Sequence, residues 1–561
     1  MEADVGIQGP QWRDITGVAN ETSNAVLFFA DKTLNKISAY EAGSAGYCYN
    51  LLATVHFYDI PKPDLVNYQP YTHSSADRMI SRSFSDFYDP HSTARCNLYV
   101  TLFYEYSGPN FSSVDMTENP YLVENFAPVD TEVTAETLKV SGHIPPELAG
   151  QLLRIGPNPV NPDPATHHWF LGNGMVHGLQ LRDGKAEWFR SRYVRDDEIV
   201  AVKGWPPVQG PENALQLGGG VANTNIIFHA GKRLALVEGG NLPVQLNSSL
   251  ETVARTNLGG TLPGGLSAHP HLDADTGELH AAVYSPLWNY IQHVVISAEG
   301  EVIRAVNVPV PGQPMVHDCM ITKNYFILLD LPVILDMKAA ETGASLPYRW
   351  SAEYGARVGL LPRHGAAEEV TWHEVDPCYV FHPMNGYEDD MGRVVLDVLR
   401  HPKMFATDMR GPNEGTVTLD RWVIDPLKTR VQETRLDDQG QEFPRIAEQL
   451  TGKPYRYGYT VALDAGFSAG GLIKHDLQHS RKETYNEGMA RHFMEPVFVP
   501  RQDSTSEDDG WLMSFVYDAE RESSDVVILE AKDMAAGPAA TIHLPRRVPF
   551  GFHGNWIPST D

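Results

Sequence analysis

The sequence predicts an all-β fold, a seven-bladed β-propeller, on three observations. From about residue 116 onward short apolar runs alternate with turn signals, helical periodicity is scarce, and conspicuous His and Glu residues recur at blade-like intervals. The hairpin-like segments are LDADTGELHAAVYS (272–285), LDRWVIDPLKTRVQETRLDDQG (419–440) and WLMSFVYDAERESSDVVILEAKD (511–533). Each joins two runs rich in β-branched and aromatic residues through a polar turn, as antiparallel hairpins do. The clearest helical stretch is LPVILDMKAAETG at 331–343, and it is short.

Many short strands with regular turns also fit a sandwich or a barrel, and spacing is what favours the propeller. His269, His317, His382, Glu442, Glu495 and His553 follow one another at intervals of 48, 65, 60, 53 and 58 residues. A four-stranded blade takes about 40–50 residues, more with long loops. One inward-pointing residue from the same strand of successive blades gives this spacing and brings all of them to the central axis. Seven blades of about 57 residues use about 400 of the residues between Met116 and Asp561.

Composition sets the broad class. Of 561 residues, 42% are hydrophobic, 10% aromatic and 20% charged, which is ordinary for a soluble globular protein and excludes a fibrous or wholly disordered one. A net charge of −27 argues against nucleic acid as a partner. Four cysteines (Cys48, Cys96, Cys319, Cys378) without a CxxC pair fit neither a disulfide scaffold nor a zinc ribbon and point to a reducing compartment. The best apolar run, YFILLDLPVIL (325–335), is broken by Asp330 and Pro332 and falls short of the roughly 18–20 residues that span a bilayer. The opening MEADVGIQGPQWRD lacks the basic and apolar regions of a signal peptide. A cytoplasmic protein is expected.

Residues 1–115 read differently. They hold strand-like pieces such as NLYVTLFYEY (97–106) but no regular Gly-Pro punctuation and no cluster of metal-ligating types. At Met116 the text turns into a domain-like beginning, MTENPYLVENFAPVD. Two readings stand: 1–115 is an appendage or upstream sequence from an overlong gene call, or it is an extra domain of unknown role. Residues 116–561 are the propeller.

The chemistry rests on four histidines in unusual contexts: LSAHPHLD (His269), PMVHDCMIT (His317), YVFHPMNGYED (His382) and GFHGNW (His553). Among 22 histidines, any one of these alone reads as a surface or satisfied core residue. Together, each following an apolar or Gly-rich run, they form an all-nitrogen metal site on the propeller axis. Neutral imidazoles suit Fe, Zn, Cu or Ni over Mg and Ca. Structural zinc sites draw ligands from compact loops, whereas these residues span almost the whole fold; iron is preferred because it can bind O2. Metal-bound histidines donate their second ring N–H to a carboxylate or carbonyl. The candidates are Glu238 (LALVEGGNLP), Glu442 (GQEFPRI) and Glu495 (RHFMEPVFVP), each beside apolar residues where a lone carboxylate is costly to bury. On exposed strand edges the same glutamates would have no such role. His167, His168 and His177 read as structural, and Gly218–Gly220 lacks the strand–Gly–helix setting of a phosphate loop.

The block LLRIGPNPVNPDPATHHWFLGNGMVHGLQL, the segment GVANTNIIFHAGKRLALVEGGNLP, the four histidine motifs and the final GFHGNW resemble the carotenoid cleavage oxygenase family, from about residue 119 to the C-terminus. The resemblance implies a seven-bladed propeller with a cap of loops and short helices over the iron-bearing face. It implies non-haem Fe(2+) held by His269, His317, His382 and His553, with Glu238, Glu442 and Glu495 behind them. It also implies O2-dependent scission of a carbon–carbon double bond in an apolar polyene, a carotenoid or apocarotenoid, giving two aldehydes or ketones. Stilbene-cleaving members carry a Lys immediately before the first of these glutamates; Val237 stands there and cannot polarise a phenol. The alternatives kept open are a stilbene or phenylpropene dioxygenase and a catalytically silent propeller serving as an interaction module. The substrate tunnel is expected from cap loops, including 325–335, and peripheral membrane contact for substrate uptake stays open.

Overall fold

The computed structural model describes residues 119–559 apart from 213–217, 263 and 465–468, together with the backbone of five strands between residues 24 and 106. The chain divides into two units, Met1–Thr117 and Glu118–Asp561. In the first, Asn24–Ala30 pairs with Ile37–Ser44, and Leu98–Tyr106 lies between Tyr49–Phe57 and Ile80–Ser81. Cys48 and Cys96 fall outside the described residues, and Cys319 and Cys378 are buried free thiols.

The second unit is a seven-bladed propeller. Its blades run in chain order, and the ring is closed twice. The C-terminal strand Gly554–Pro558 is the innermost strand of the first blade, paired with Gly150–Pro157. The early strand Lys139–Gly142 is the outermost of the seventh, paired with Pro538–His543. Each of the three segments read as hairpins forms one: His271–Leu272 with Leu279–Val283, Thr418–Ile424 with Gln432–Asp437, and Gly510–Asp518 with Ser523–Glu530.

Burial explains the strand sequences. Inner strands are covered by neighbouring blades on both faces and read as continuous apolar runs: Gly150–Pro157 is buried throughout, as is all but the last residue of Gly510–Asp518. Outer strands such as Val302–Pro309 alternate between half-buried and exposed. The apolar core is accordingly a ring of clusters between blades. Leu153, Ile155 and Val176 of the first blade meet Ile226, Ala235 and Val244 of the second; Leu234 and Leu236 then meet Leu279, Val283 and Val294 of the third. The axis is left to polar side chains.

Over one face lies the cap. It includes the helices Asp197–Lys203 and Met337–Glu341, capped by Asp196 and Asp336 respectively, and a two-stranded sheet of Val333–Leu335 with Tyr348–Trp350. The helix falls inside the stretch expected from sequence, but the 325–335 run is not a cap loop. Tyr325–Asp330 is the second strand of the fourth blade, with Phe326, Ile327 and Leu328 fully buried, and only Val333–Leu335 belongs to the cap. Asp330, which looks like a break in the run, is a buried strand residue held by the Tyr354 hydroxyl at 2.7 Å and Arg357 Nε at 2.8 Å.

Several histidines are buried in the ring. His177 bonds through Nδ1 to Ser191 Oγ at 2.8 Å, and His280 lies 3.1 Å from His293 and 2.6 Å from Arg363. Burial pushes the imidazoles of His177 and His280 down to about 3 and that of His475 to about 4. In the unfolded chain they protonate near pH 6.5. The unfolded state therefore binds more protons from pH 6.5 downward, and stability is lost as pH falls through this window. Equilibrium unfolding of the metal-free protein should show stability dropping between pH 6.5 and 5, where ordinary carboxylates remain ionised. His177→Gln should lower that slope by up to about 1.4 kcal/mol per pH unit; a slope equal to wild type would contradict the assignment.

Candidate metal centre

The start of the innermost strand is the position nearest the axis, and the histidines occupy it. His269, His317 and His553 come just before His271–Leu272, Met320–Ile321 and Gly554–Pro558, and His382 lies within Tyr379–Glu388. They come from the third, fourth, first and fifth blades. Local sequence allows the approach. A Cβ on Gly156 would lie 2.4 Å from Gly551 Cα, and one on Gly554 would lie 2.3 Å from the Leu153 carbonyl oxygen, so the GFHGNW turn can seat His553 only with glycine at these places.

The four rings converge. Ligand-capable atoms of His269, His317, His382 and His553 all lie within 4.8 Å of one another. His269 is 4.4 Å, centroid to centroid, from both His317 and His553, and His382 is 4.8 Å from His553.

The three glutamates stand directly behind. His317 Nδ1 is 3.1 Å from Glu238 Oε1, His382 Nδ1 is 2.7 Å from Glu442 Oε2, and His553 Nδ1 is 2.8 Å from Glu495 Oε1. Glu238 follows the strand Lys232–Leu236 of the second blade, Glu442 lies in Gln441–Arg445 of the sixth, and Glu495 lies between Arg491–Phe493 and Val497–Pro500 of the seventh. Each of the seven blades thus supplies one of these seven side chains.

This arrangement sets the tautomers. An ionised carboxylate only accepts, so each Nδ1 carries the proton and each Nε2 presents a lone pair inward. His317 Nε2 and His382 Nε2 then face each other at 3.2 Å, and His269 Nε2 is buried without a partner. Bare lone pairs gathered this closely repel unless a cation lies between them. Two nitrogens bound to one ion at about 2.1 Å can be no more than about 4.2 Å apart, and 3.2 Å satisfies that limit. An all-imidazole donor set of this kind fits a borderline transition metal.

Electrostatics agree. Burial, then the neighbouring histidines, hold His269 well below its ordinary value. Burial lowers His553 to about 4 despite Glu495. At His382 burial acts against protonation, but Glu442 outweighs it and raises the ring's basicity. Glu442 and Glu495 are themselves opposed by burial, yet their histidine partners, with Arg445 also at Glu495, keep both ionised, Glu495 at about 2.

The family model described as retinal pigment epithelial membrane protein matches residues 126–558. A carotenoid cleavage oxygenase of Mycobacterium tuberculosis is 40% identical, covering 79% of this chain and 98% of its own. The chain belongs to the carotenoid cleavage oxygenase family. The apocarotenoid-15,15'-oxygenase of Synechocystis is 32% identical, over 74% of this chain and 92% of its own. Among solved structures, the lignostilbene dioxygenase of Pseudomonas brassicacearum superposes with a TM-score of 0.72 at 26% identity, covering 78% of this chain and 98% of that one.

An apolar cavity of about 450 Å³ lies under the cap and ends on His317, His382 and His553. Its walls include Trp169, Phe170, Val237, Tyr284, Leu346, Tyr348, Phe381, Phe443 and Phe552. Phe443 adopts φ 56°, a strained conformation for a non-glycine residue, with its ring 5.7 Å from His382 and 5.8 Å from His553. The residues read as structural stay outside the cluster: His177 pairs with Ser191, and His168 packs edge-on against Phe170.

Sequence reasoning missed the supports of the glutamates. His401 Nε2 is 3.0 Å from Glu442 Oε1, and the Phe443 N–H also donates to Glu442. Glu495 accepts from the Gly554 N–H at 2.8 Å and pairs with Arg445 Nη1 at 3.4 Å. His401 ends an ordinary strand, Val394–His401, and no local signal marks it.

Glu442→Gln removes the anion shared by His382 and His401. Metal affinity should fall about 10–100-fold, read by titrating the metal-free protein with Fe(II) or Co(II). Wild-type affinity in the variant would contradict the pairing.

Proposed function

We propose that His269, His317, His382 and His553 bind ferrous iron, with Glu238, Glu442 and Glu495 orienting three of them. We further propose that the enzyme cleaves a carbon–carbon double bond of a carotenoid or apocarotenoid with O2 to give two aldehyde or ketone products. The observation that carries this reading is the set of inward-facing Nε2 lone pairs at the foot of an apolar cavity rich in aromatic side chains. When bound, ferrous iron would activate O2 toward a closed-shell alkene by sharing electron density with it, the alkene itself being the net electron donor.

The chain's own residues do the rest. The carboxylates fix ring orientation and balance the ion's charge. Trp169, Phe170, Phe381 and Phe552 offer flat apolar surface to a conjugated chain and keep water from the reacting bond. One double bond and one O2 yield two carbonyl groups, so atoms and electrons balance without an external reductant. The lignostilbene enzyme shares this architecture, so the fold does not choose between polyene and stilbene. Val237 on the cavity wall favours the polyene, because an aliphatic side chain can neither donate to nor withdraw a proton from a phenol.

Peripheral contact with a lipid surface belongs to the same proposal. Glu198 and Pro286 line the cavity, and close to them in sequence Val202 and Leu287 are 47% and 65% exposed. Among the described residues no helix is long and apolar enough to cross a membrane. A cytoplasmic setting is proposed alongside, in keeping with the two buried free thiols.

Iron analysis coupled to product mass spectrometry under ¹⁸O₂ tests the reading. Expected are bound iron and labelled carbonyl fragments from carotenoids or apocarotenoids, with no cleavage of resveratrol-type stilbenes. Protein without iron that consumes no O2 with any polyene after Fe(II) addition would instead support a silent interaction module. We also propose that residues 116–561 suffice for catalysis, since the first propeller strand in the chain is Val133–Ala135. A chain beginning at Met116 should fold and turn over like the full-length protein, and loss of soluble protein or turnover would show that residues 1–115 are needed.

A further inference from the structure

His269 differs from the other three histidines: among the described residues no glutamate approaches its ring. Its Nδ1 faces Asp318 Oδ2 at 3.8 Å, and its Nε2 is buried without a partner. Asp318 is only 3% exposed. Its other oxygen is firmly held, accepting from the Cys319 N–H at 2.6 Å and lying 2.7 Å from His271 Nε2. One carboxylate oxygen is therefore anchored while the other points at the unpaired face of His269. The gap exceeds hydrogen-bond range by about 0.6 Å, which a small turn of the ring removes.

The two sides of the cluster also differ. His317 lines the apolar cavity and His269 does not. His269 lines a second chamber of about 120 Å³, with His271, Asp318, Arg445 and Glu495 among its walls. This chamber is polar, and Asp318 acts on the cluster from its side.

We propose that Asp318 is a fourth carboxylate partner, a positioning residue that orients His269 toward the ion from the polar chamber. The inference rests on the metal-centre reading above and adds to it the residue that completes one carboxylate per imidazole. His271 and the Cys319 backbone hold one oxygen of Asp318 in place, which leaves the other to orient His269.

The test is a Co(II) titration of metal-free full-length protein, followed by visible absorption, for wild type, Asp318→Asn and Asp318→Glu. Asp318→Asn should weaken Co(II) affinity about 10–100-fold and shift the cobalt bands, and Asp318→Glu should restore much of both. Binding of an intact polyene to the metal-free variants, read from its own absorption, should stay at the wild-type level, because Asp318 does not line the apolar cavity. An Asp318→Asn protein with wild-type affinity and spectrum overturns this inference alone. Wild-type protein that takes up no cobalt overturns the metal-centre reading with it. Should Asp318→Asn fail to fold, His271→Gln carries the test: it removes one anchor of Asp318 and should shift the cobalt bands in the same direction, and an unchanged spectrum would reject the proposal.

Discussion

The hydrogen bond from an imidazole Nδ1 to the carboxylate behind it is the interaction on which the rest depends. Repeated at His317, His382 and His553, it fixes the tautomer of each ring and turns each Nε2 lone pair toward the axis. Without it the rings would be free to flip, and the same four histidines would be a polar patch with no defined donor set. The carboxylates are costly to bury alone. Glu442 accepts from His382, His401 and the Phe443 N–H, and Glu495 is met by His553, the Gly554 N–H and Arg445. Burial and pairing oppose each other at both glutamates, and pairing wins, since both remain ionised.

The propeller makes this arrangement affordable in conformational terms. Apolar contact is confined to the seams between blades, as between Leu153 or Ile155 and Ile226 or Val244, so a polar axis does not interrupt a central core. Double closure ties the ring with strands from both ends of the unit. The residue that approaches the axis from the C-terminal side, His553, sits immediately before the strand that closes the first blade. Ring closure and completion of the histidine cluster are therefore one event: if Gly554–Pro558 leaves Gly150–Pro157, His553 leaves with it.

What could be read in advance follows from which signals are local. Turn chemistry and β-branched runs mark hairpins within some twenty residues, so 272–285, 419–440 and 511–533 were legible. The histidines and glutamates were legible because each sits in a short motif of apolar, glycine or proline residues, and at His553 the glycines Gly551 and Gly554 permit the close approach of the backbone. The supports were not, because they cross blades: His401 reaches Glu442 from 41 positions away. Asp318 was in plain sight beside His317, yet the ring it faces, His269, belongs to another blade. The 325–335 run misled for a related reason. An Asp within an apolar stretch signals a loop on average, and here its partners Tyr354 and Arg357, more than twenty residues on, keep it inside a strand.

The division of labour in the fold has a consequence for how such an enzyme can change. The histidines and two of the three glutamates lie on or beside innermost strands, whereas much of the cavity wall, including Trp169, Phe170, Leu346 and Tyr348, comes from segments between blade strands or from the cap sheet. Substitutions at these four wall residues alter the shape of the cavity without changing a neighbour of a cluster histidine or glutamate. Val237, Phe381, Phe443 and Phe552 are the places where the two systems touch, since each lines the cavity and adjoins in the chain one of Glu238, His382, Glu442 and His553. At these four positions a substitution changes the cavity wall and can shift the neighbouring histidine or glutamate through the shared backbone, so cavity shape and the geometry of the histidine cluster are hardest to separate there.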